Sequence, residues 1–293
     1  MQLKFQNVVL VCRQRKKRAI NTLLQLAAHL AARQVRVFIE QETSQLLPKP
    51  IAEVLPPSVL GERCDLLITV GGDGSFLSAA RLAARQKLPI IGVNQGDFGF
   101  LTDIAANAIN QIDEILVGNF YQETRFLLQA EVVPTQTDAQ HLALNDVVFL
   151  SYVNGHLIDF SVYLDDKFLC RHWANGLIVA SPTGSTAHAL SGGGPILLPT
   201  VDNILLVPML SHNLGSRPIV VAGSSKIEIL FKEYGANELL LICDGQTQIV
   251  PPSDRIQITK AKEELTILHP LSYDYFKILR TKLHWEFQPK NQC

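Results

Sequence analysis

One short loop combines glycines with an acidic residue at a point where a strand gives way to a helix. Residues 71–75 read Gly-Gly-Asp-Gly-Ser, directly after the apolar run 66–70 and directly before a segment with helical spacing. Glycines leave backbone N–H groups open to phosphate oxygens, and a helix N-terminus adds partial positive charge. A carboxylate among groups that attract anions indicates work on a proton or a metal. Asp73 therefore predicts phosphoryl transfer onto a hydroxyl group, although the loop alone is also compatible with a tight turn capped by this residue.

The loop differs from two common phosphate-binding motifs. The P-loop of ATPases and GTPases has a lysine after its last glycine, where this chain has Ser75. The dinucleotide fingerprint would place a third glycine at position 77, which is leucine.

A second glycine-containing loop follows the next buried strand. Residues 94–103 read Asn-Gln-Gly-Asp-Phe-Gly-Phe-Leu-Thr-Asp. Because both loops follow parallel strands, we expect them at the same sheet edge, where they form a crevice. An ordinary connection remains the alternative for its polar residues taken singly.

Two further segments carry polar residues that could bind a ligand. Asn145 and Asp146 interrupt a β-rich run, and an adjacent amide and carboxylate suit neighbouring sugar hydroxyls. A strand end with a turn remains an equal alternative for this pair. Residues 181–195 place Ser-Pro-Thr-Gly-Ser-Thr before a short helix and three glycines. So many small polar residues in one turn favour binding of a polar ligand, with His188 available to stack on a base.

The elements that must position these residues change character along the chain. Up to about residue 124, strand and helix patterns alternate, which predicts a parallel sheet covered on both faces. From about residue 125, short β-rich runs separated by turns predict a mostly antiparallel domain. We expect strands at 255–259 and 265–268 near its end, and a helix at roughly 105–118 in the first domain.

Composition excludes several classes of protein. The 293 residues are 47% hydrophobic and 18% charged, with a net charge of −1, which predicts a globular chain with no field to attract nucleic acid or anionic lipid. No apolar stretch approaches the roughly 20 residues that span a bilayer, and the start lacks a signal-peptide pattern. The five cysteines are widely spaced, with no Cys-x-x-Cys pair. We therefore expect reduced thiols in a cytoplasmic protein with no membrane partner.

Taken together and in order, these segments resemble the NAD kinase family. The matching stretches are Gly-Gly-Asp-Gly, the 94–103 loop, Leu-Asn-Asp-Val-Val at 144–148 and Pro-Thr-Gly-Ser-Thr-Ala at 182–187. Later matches at 206–209 and 244–246 extend the resemblance to nearly the whole chain. It implies transfer of the ATP γ-phosphoryl group to the 2′-hydroxyl of the adenosine ribose of NAD, with a divalent metal, Mg²⁺, carried on ATP.

The resemblance also implies a fold and an assembly. The expected class is α/β plus β, with an N-terminal Rossmann-like doubly wound domain and a C-terminal β-sandwich. The corresponding boundaries are 1–124, 125–270 and a C-terminal segment 271–293 that docks back on the first domain. A homodimer or homotetramer is expected, with NAD and ATP as small-molecule substrates.

Site residues follow from the same resemblance. Asp73 would accept the proton of the attacking hydroxyl, and the Asn145–Asp146 pair would hold ribose hydroxyls. Thr183, Thr186 and Ala187 would recognise adenine. No metal-ligating cluster is expected. The full set of candidate nucleotide-binding residues is Gly72, Asp73, Gly74, Asn145, Asp146, His156, Trp173, Asn175, Thr183, Thr186, Ala187, His188, Ala189, Leu190, Ser191 and Gln246.

Two positions depart from the family pattern. Asn175 stands where the family usually has an aspartate facing the nicotinamide end, and His188 replaces the usual tyrosine beside the base. A lipid or sphingoid-base kinase with the same glycine loop is one alternative function. A non-catalytic NAD-binding protein is another, which Asn175 suggests and the presence of Asp73 opposes.

Overall fold

The computed structural model describes residues 3–96, 99–133, 141–152, 156–232, 239–250 and 255–285. Asp97 and Phe98 of the second glycine loop, and the end of the predicted C-terminal segment beyond residue 285, lie outside the described residues. The chain divides into two compact units. One comprises Met1–Glu123 with Leu265–Cys293, and the other comprises Thr124–Glu264.

The first part of the chain alternates strands and helices. Its elements are β1 (Asn7–Cys12), α1 (Lys17–Ala31), β2 (Arg36–Glu40), α2 (Gln41–Ser44), β3 (Glu53–Leu55), a 3₁₀ turn (Pro57–Val59), α3 (Leu60–Arg63), β4 (Leu66–Gly71), α4 (Asp73–Gln86), β5 (Ile90–Asn94), β6 (Ile104–Ala105) and α5 (Gln111–Leu116).

The rest of the chain is mostly strand. Its elements are β7 (Tyr121–Val133), β8 (His141–Ala143), β9 (Asp146–Ser151), β10 (Ile158–Leu164), β11 (Lys167–Ala174), β12 (Gly176–Ala180), a 3₁₀ turn (Thr183–Thr186), α6 (His188–Ser191), β13 (Asn203–Met209), β14 (Ile219–Ala222), β15 (Ile227–Phe231), β16 (Leu239–Cys243), β17 (Gln246–Val250), β18 (Arg255–His269) and α7 (Tyr275–Lys282).

The first unit contains a parallel sheet in the order β5-β4-β1-β2-β3. Both β6 and the end of β18 pair with β5 in parallel. Every residue of β4 and β5 is buried, as expected for strands covered on both faces. Gly71 at the end of β4 pairs with Asn94 at the end of β5, so the two glycine loops begin side by side.

The second unit consists of two antiparallel layers. One sheet has the order β14-β13-β12-β9-β16-β17, and β11, β10, β15 and β18 form the other with β7 and β8. Phe149 of the first sheet packs edge-on against Phe160 of the second, with ring centroids 4.8 Å apart. This packing makes the unit a β-sandwich. The α/β domain with a parallel sheet and the β-sandwich confirm the predicted fold class.

Three predicted elements differ from the structure. Residues 255–259 and 265–268 belong to one strand, β18, because the alternation of inward and outward side chains continues between them, where Ala261 is buried and Lys262 and Glu264 are exposed. The predicted helix at 105–118 is reduced to α5, since Ile104 and Ala105 pair with β5 as a short strand. The predicted run 143–150 is interrupted at residues 144 and 145, between β8 and β9.

Candidate active site

The first glycine loop places Asp73 at the first position of α4. Gly72 precedes it in extended conformation, and its carbonyl accepts the N–H groups of Ser75 and Phe76 at 2.9 and 3.0 Å. An acidic side chain in the first helical turn is stabilised by the helix dipole. A β-carbon placed at Gly72 or Gly74 would meet no described atom within 4 Å, so both glycines present open backbone. This is a surface that a phosphate group could approach.

The second glycine loop holds the Asp73 carboxylate. The N–H of Phe100 donates to Oδ2 at 2.9 Å, and the N–H of Leu101 donates to Oδ1 at 3.2 Å. The hydroxyl of Thr102 also donates to Oδ1, at 3.3 Å. Three donors on one carboxylate stabilise its negative charge and fix its orientation. The predicted pairing of the two loops is thus a direct contact.

Asn94 fixes the shape of that second loop. Its amide donates to the Thr102 hydroxyl at 2.8 Å and to the Thr102 carbonyl at 3.3 Å, while its oxygen accepts the N–H of Gly96 at 2.8 Å. Both Asn94 and Thr102 are buried. The last residue of β5 therefore ties both sides of the loop to the sheet edge.

A basic segment lies at the same sheet edge and was not among the predicted site residues. Five of the six residues 13–18 are basic, and β1, which they follow, is adjacent to β4. Arg13 donates to Ser78 of α4 at 3.4 Å and pairs with Glu40 at 2.6 Å. Residues 15–18 are exposed at the start of α1, where cations oppose the helix dipole. A polyanion near this edge would compensate that charge.

In the second unit, Asp244 positions the backbone of the predicted Asn145–Asp146 pair. Its carboxylate accepts the N–H groups of Leu144 and Asn145, each at 2.8 Å, and that of Asp146 at 3.3 Å. Asp244 and Gly245 form the two-residue turn between β16 and β17, both with positive φ. An Asp-Gly turn of this kind is the preferred connection of a hairpin. The turn of the β16–β17 hairpin therefore fixes the backbone of residues 144–146, where β8 gives way to β9.

Asp146 is buried and Asn145 is half-buried, and both side chains carry polar atoms that a ligand could engage. Burial raises the pKa of Asp146 to about 6, against the opposing attraction of His188 and with added repulsion from Asp244. His188 Nδ1 lies 3.5 Å from Asp146 Oδ1, while the histidine side chain is 66% exposed. Among the described residues, the buried Oδ1 of Asn145 has no hydrogen-bond partner. Buried polar atoms without partners are costly, so a ligand hydroxyl here would be stabilising.

The segment that follows β12 closes against this pair. The N–H of Ser181 donates to the Asn145 carbonyl at 2.9 Å. A β-carbon at Gly184 would come within 2.0 Å of that carbonyl, so only glycine permits the approach. Thr183 is buried and its hydroxyl accepts from Arg125 at 3.2 Å, while the Thr186 hydroxyl donates to the Thr183 carbonyl at 3.3 Å.

The structure brings these predicted residues together to different degrees. Ala189 is fully buried in the core beneath α6, whereas Ser191 is exposed. Ala187 precedes them in the same short segment, and Leu190 lies between them. Gln246 lies exposed two residues beyond Asp244.

Three predicted residues lie at the β10–β11 hairpin. Trp173 is 50% exposed with its ring 4.8 Å from that of His212, and Asn175 is half-buried. His156 is exposed ahead of β10, whose first residue pairs with Ala174. Among the described residues, no hydrogen bond or ion pair joins His156 to Asn145 or Asp146.

The predicted residues are divided between the two units. Gly72, Asp73 and Gly74 belong to the first, and all the other candidates belong to the second. Two sets of supporting residues were not among the predicted site residues: the donors to Asp73 at residues 100–102, and Asp244, which accepts the backbone N–H groups of residues 144–146. The donors at residues 100–102 were signalled only by their glycine-containing loop, and Asp244 was signalled by its Asp-Gly turn.

The side chains of the described residues form no cluster of three or more His, Cys, Asp or Glu that could hold a metal ion. Mg²⁺ prefers substrate phosphates and water to an all-protein cage. In addition, none of the helices in the described ranges is long and apolar enough to cross a membrane.

Comparisons with known proteins agree with this arrangement. The family model of the ATP-NAD kinase N-terminal domain matches residues 8–120, and that of the ATP-NAD kinase C-terminal domain matches residues 144–269. An NAD kinase of Pseudomonas fluorescens is 41% identical over 285 residues, 96% of this chain and 96% of the relative. An NAD kinase of Pseudomonas putida is 42% identical over the same length and coverage.

Two solved structures share the fold. Yeast NADH kinase complexed with NADH superposes with a TM-score of 0.86 at 23% identity, over 98% of this chain and 90% of the yeast chain. An NAD kinase from Archaeoglobus fulgidus in complex with ATP has a TM-score of 0.71 at 24% identity, over 95% and 98% of the two chains. The two family models and the relatives above 40% identity over nearly the full length establish the family. The chain belongs to the NAD kinase family.

Proposed function

We propose that this chain transfers the γ-phosphoryl group of ATP to the 2′-hydroxyl of the adenosine ribose of NAD, which gives NADP and ADP. The observation that carries the proposal is the Asp73 carboxylate, fixed by three donors beside two glycines with open backbone. Family membership supports the same reaction. Phosphoryl transfer needs little covalent help from a protein, because positioning and charge neutralisation dominate.

In this reaction Asp73 accepts the proton of the attacking hydroxyl. The ribose oxygen forms a bond to the γ-phosphorus, the bond from that phosphorus to the bridging oxygen breaks, and ADP leaves. A carboxylate is a weak base, so the proton moves as the hydroxyl becomes acidic in the transition state. The open N–H groups of the glycine loop and the basic residues 13–18 would stabilise the phosphate charge.

The second unit would hold the dinucleotide. Asn145 and Asp146 would bind ribose hydroxyls, since Asn145 Oδ1 is buried without a partner among the described residues. Residues 183–187 would recognise adenine, with the exposed ring of His188 stacked on the base. Asn175 keeps an acceptor for the nicotinamide amide but lacks the charge of an aspartate.

An ATP-dependent kinase works with a divalent metal, and Mg²⁺ is the ion we propose. It would neutralise phosphate charge while bound to ATP oxygens and water. A homodimer or homotetramer is also proposed, and it is supported by exposed apolar side chains in the second unit, which include Trp173, Leu210 and Leu214. The free cysteines Cys12, Cys64, Cys170 and Cys243 support a cytoplasmic location.

A direct assay tests the proposal. The purified chain is incubated with ATP, Mg²⁺ and NAD, and NADP is measured; a parallel reaction contains diacylglycerol in place of NAD. We expect NADP from the first reaction and no phosphorylated product from the second. Product only with diacylglycerol would indicate a lipid kinase. NAD binding without any NADP would indicate a binding protein.

A further inference from the structure

A histidine is buried between two carboxylates in the first unit, behind the second glycine loop. His269, the last residue of β18, is 1% exposed. Its Nδ1 lies 2.7 Å from Oδ2 of Asp103, and its Nε2 lies 3.6 Å from Oε2 of Glu123. The ring of Tyr273 stacks on the histidine with centroids 3.8 Å apart. A protonated imidazole can donate to Asp103 through Nδ1 and attract the Glu123 carboxylate across the 3.6 Å from Nε2, whereas a neutral one carries no charge for the second carboxylate.

Asp103 connects this cluster to the residues that hold Asp73. It directly follows Thr102, whose hydroxyl donates to Asp73 and accepts from Asn94. Asn94, at the end of β5, holds the beginning of the loop through Gly96. Asp103 directly follows the donor segment 100–102. The Thr102 end of the donor segment 100–102 is therefore held by two buried side chains, Asn94 directly and His269 through Asp103.

We infer that His269 is a positioning residue for phosphoryl transfer: in its protonated form it anchors Asp103 and so keeps the loop donors on the Asp73 carboxylate. This inference rests on the proposed role of Asp73. His269 exchanges no proton with substrate and touches no reacting atom. Its effect is geometric, because small displacements of a reacting group cost large factors in rate.

The surroundings of His269 favour the charged form. Burial opposes the charge, but the hydrogen bond to Asp103 and the Glu123 carboxylate outweigh it, so the pKa of His269 lies above its ordinary value. Tyr121, from β7, faces the ring at 6.3 Å. Asp103 and Tyr273 also line a cavity of about 290 Å³ whose other charged wall residues are Asp274, Lys277 and Lys282.

The variant His269→Asn tests the inference, because an asparagine amide can replace the Nδ1 donor but carries no charge and does not titrate. A matched control is His29→Asn. His29 belongs to another histidine–aspartate pair of the same unit, 2.8 Å from Asp113 and part-exposed, with no contact to the loop. For each protein, kcat and its pH profile from 6 to 9.5 are measured with the Kd for NAD.

We expect His269→Asn to lower kcat about 10- to 100-fold at pH 7, with the Kd for NAD unchanged. The wild-type kcat should decline as the pH rises through the raised pKa of His269, and this decline should be absent in the variant. Asp103→Asn should lower kcat similarly, and it substitutes for the first variant if that one fails to fold. His29→Asn should behave as wild type.

Equal kcat and equal pH profiles for wild type and His269→Asn would overturn the inference. A second readout on the wild-type protein needs no variant of His269. In NMR spectra of protein with ¹⁵N-labelled histidine, one of the eight imidazoles should keep its proton to a pH above the ordinary pKa of histidine. Loss of the proton from all eight at or below that ordinary pKa would contradict the proposal. Absence of NADP formation by the wild type would instead refute the proposed function itself.

Discussion

Gly99 lies against the carboxylate of Asp73. A β-carbon at position 99 would stand 1.9 Å from Oδ1 of Asp73 and 2.7 Å from the Thr102 hydroxyl oxygen. Real β-carbons do not approach other atoms that closely, so any other residue would force the loop or the carboxylate to move. The absence of a side chain at Gly99 is therefore what allows the loop donors to reach Asp73.

Gly99→Ala should lower kcat by about 10- to 100-fold, because the methyl group displaces the donors from Asp73. The Kd for NAD should change little, since Asn145, Asp146 and His188, the candidate residues for the ribose and the base, belong to the other unit. Gly96→Ala is the matched control in the same loop, because a β-carbon at Gly96 would meet no atom of the described residues within 4 Å. Steady-state kinetics of both variants check this, and equal kcat values for the two would contradict it.

Asp146→Asn should weaken NAD binding but stabilise the unliganded protein at neutral pH. Burial raises the pKa of Asp146 to about 6, so ionisation opposes folding. The stability that the protonated group contributes is present below pH about 4 and lost as pH rises through about 6. The variant should gain up to roughly 3 kcal/mol in unfolding free energy at pH 8, since one pKa unit corresponds to ~1.4 kcal/mol. Urea unfolding at pH 8 and pH 5 measures this, and the gain should shrink at the lower pH.

Asp244→Asn should raise the KM for NAD more than it lowers kcat. The variant keeps a residue that tolerates the positive φ of this turn but loses a carboxylate that accepts three backbone N–H groups. The unfolding free energy should fall by about 1–3 kcal/mol, since hydrogen bonds to charged groups are among the stronger ones. Thr247→Ala, exposed in the same hairpin and outside the candidate binding residues, is the structural control. An unchanged KM together with unchanged stability would show that Asp244 does not order the Asn145–Asp146 backbone.

The pH dependence of stability should have opposite signs at two buried histidines. The pKa of His269 is raised, so its contribution is full below pH about 6.5 and lost as pH rises through the folded-state value. Burial lowers the pKa of His172, so its neutral form contributes stability at high pH that is lost on acidification. The difference in unfolding free energy between wild type and His269→Asn should shrink from pH 6 to pH 9, whereas that for His172→Asn should grow from pH 5 to pH 7. Slopes of the same sign would contradict these assignments.

Much of the fold could be predicted from hydrophobic patterns. Strands buried on both faces, such as β4 and β5, are continuous apolar runs with sharp ends, and the glycine loops mark where they stop. Long strands with charged outer faces could not be delimited in this way. In β18 the charged residues at 260 and 262–264 interrupt the apolar pattern, although the strand continues through them.

The sequence indicated the candidate ligand-binding residues better than the residues that hold them in place. Asp73, Asn145 and Asp146 stand out because polar residues are out of place beside buried strands. Asp103, Asp244 and His269 act through contacts between residues far apart in sequence, and such contacts depend on how the chain folds. No local pattern identifies His269 as the partner of Asp103, which is 166 positions away.

The role of Asp73 is tested most directly by Asp73→Asn, which keeps the size of the side chain and removes the base. Single-turnover NADP formation and the Kd for NAD are measured on the same folded protein. The account predicts that the rate of the chemical step falls by about 10²–10⁴-fold while NAD binding persists. A chemical step as fast as that of the wild-type protein would contradict it.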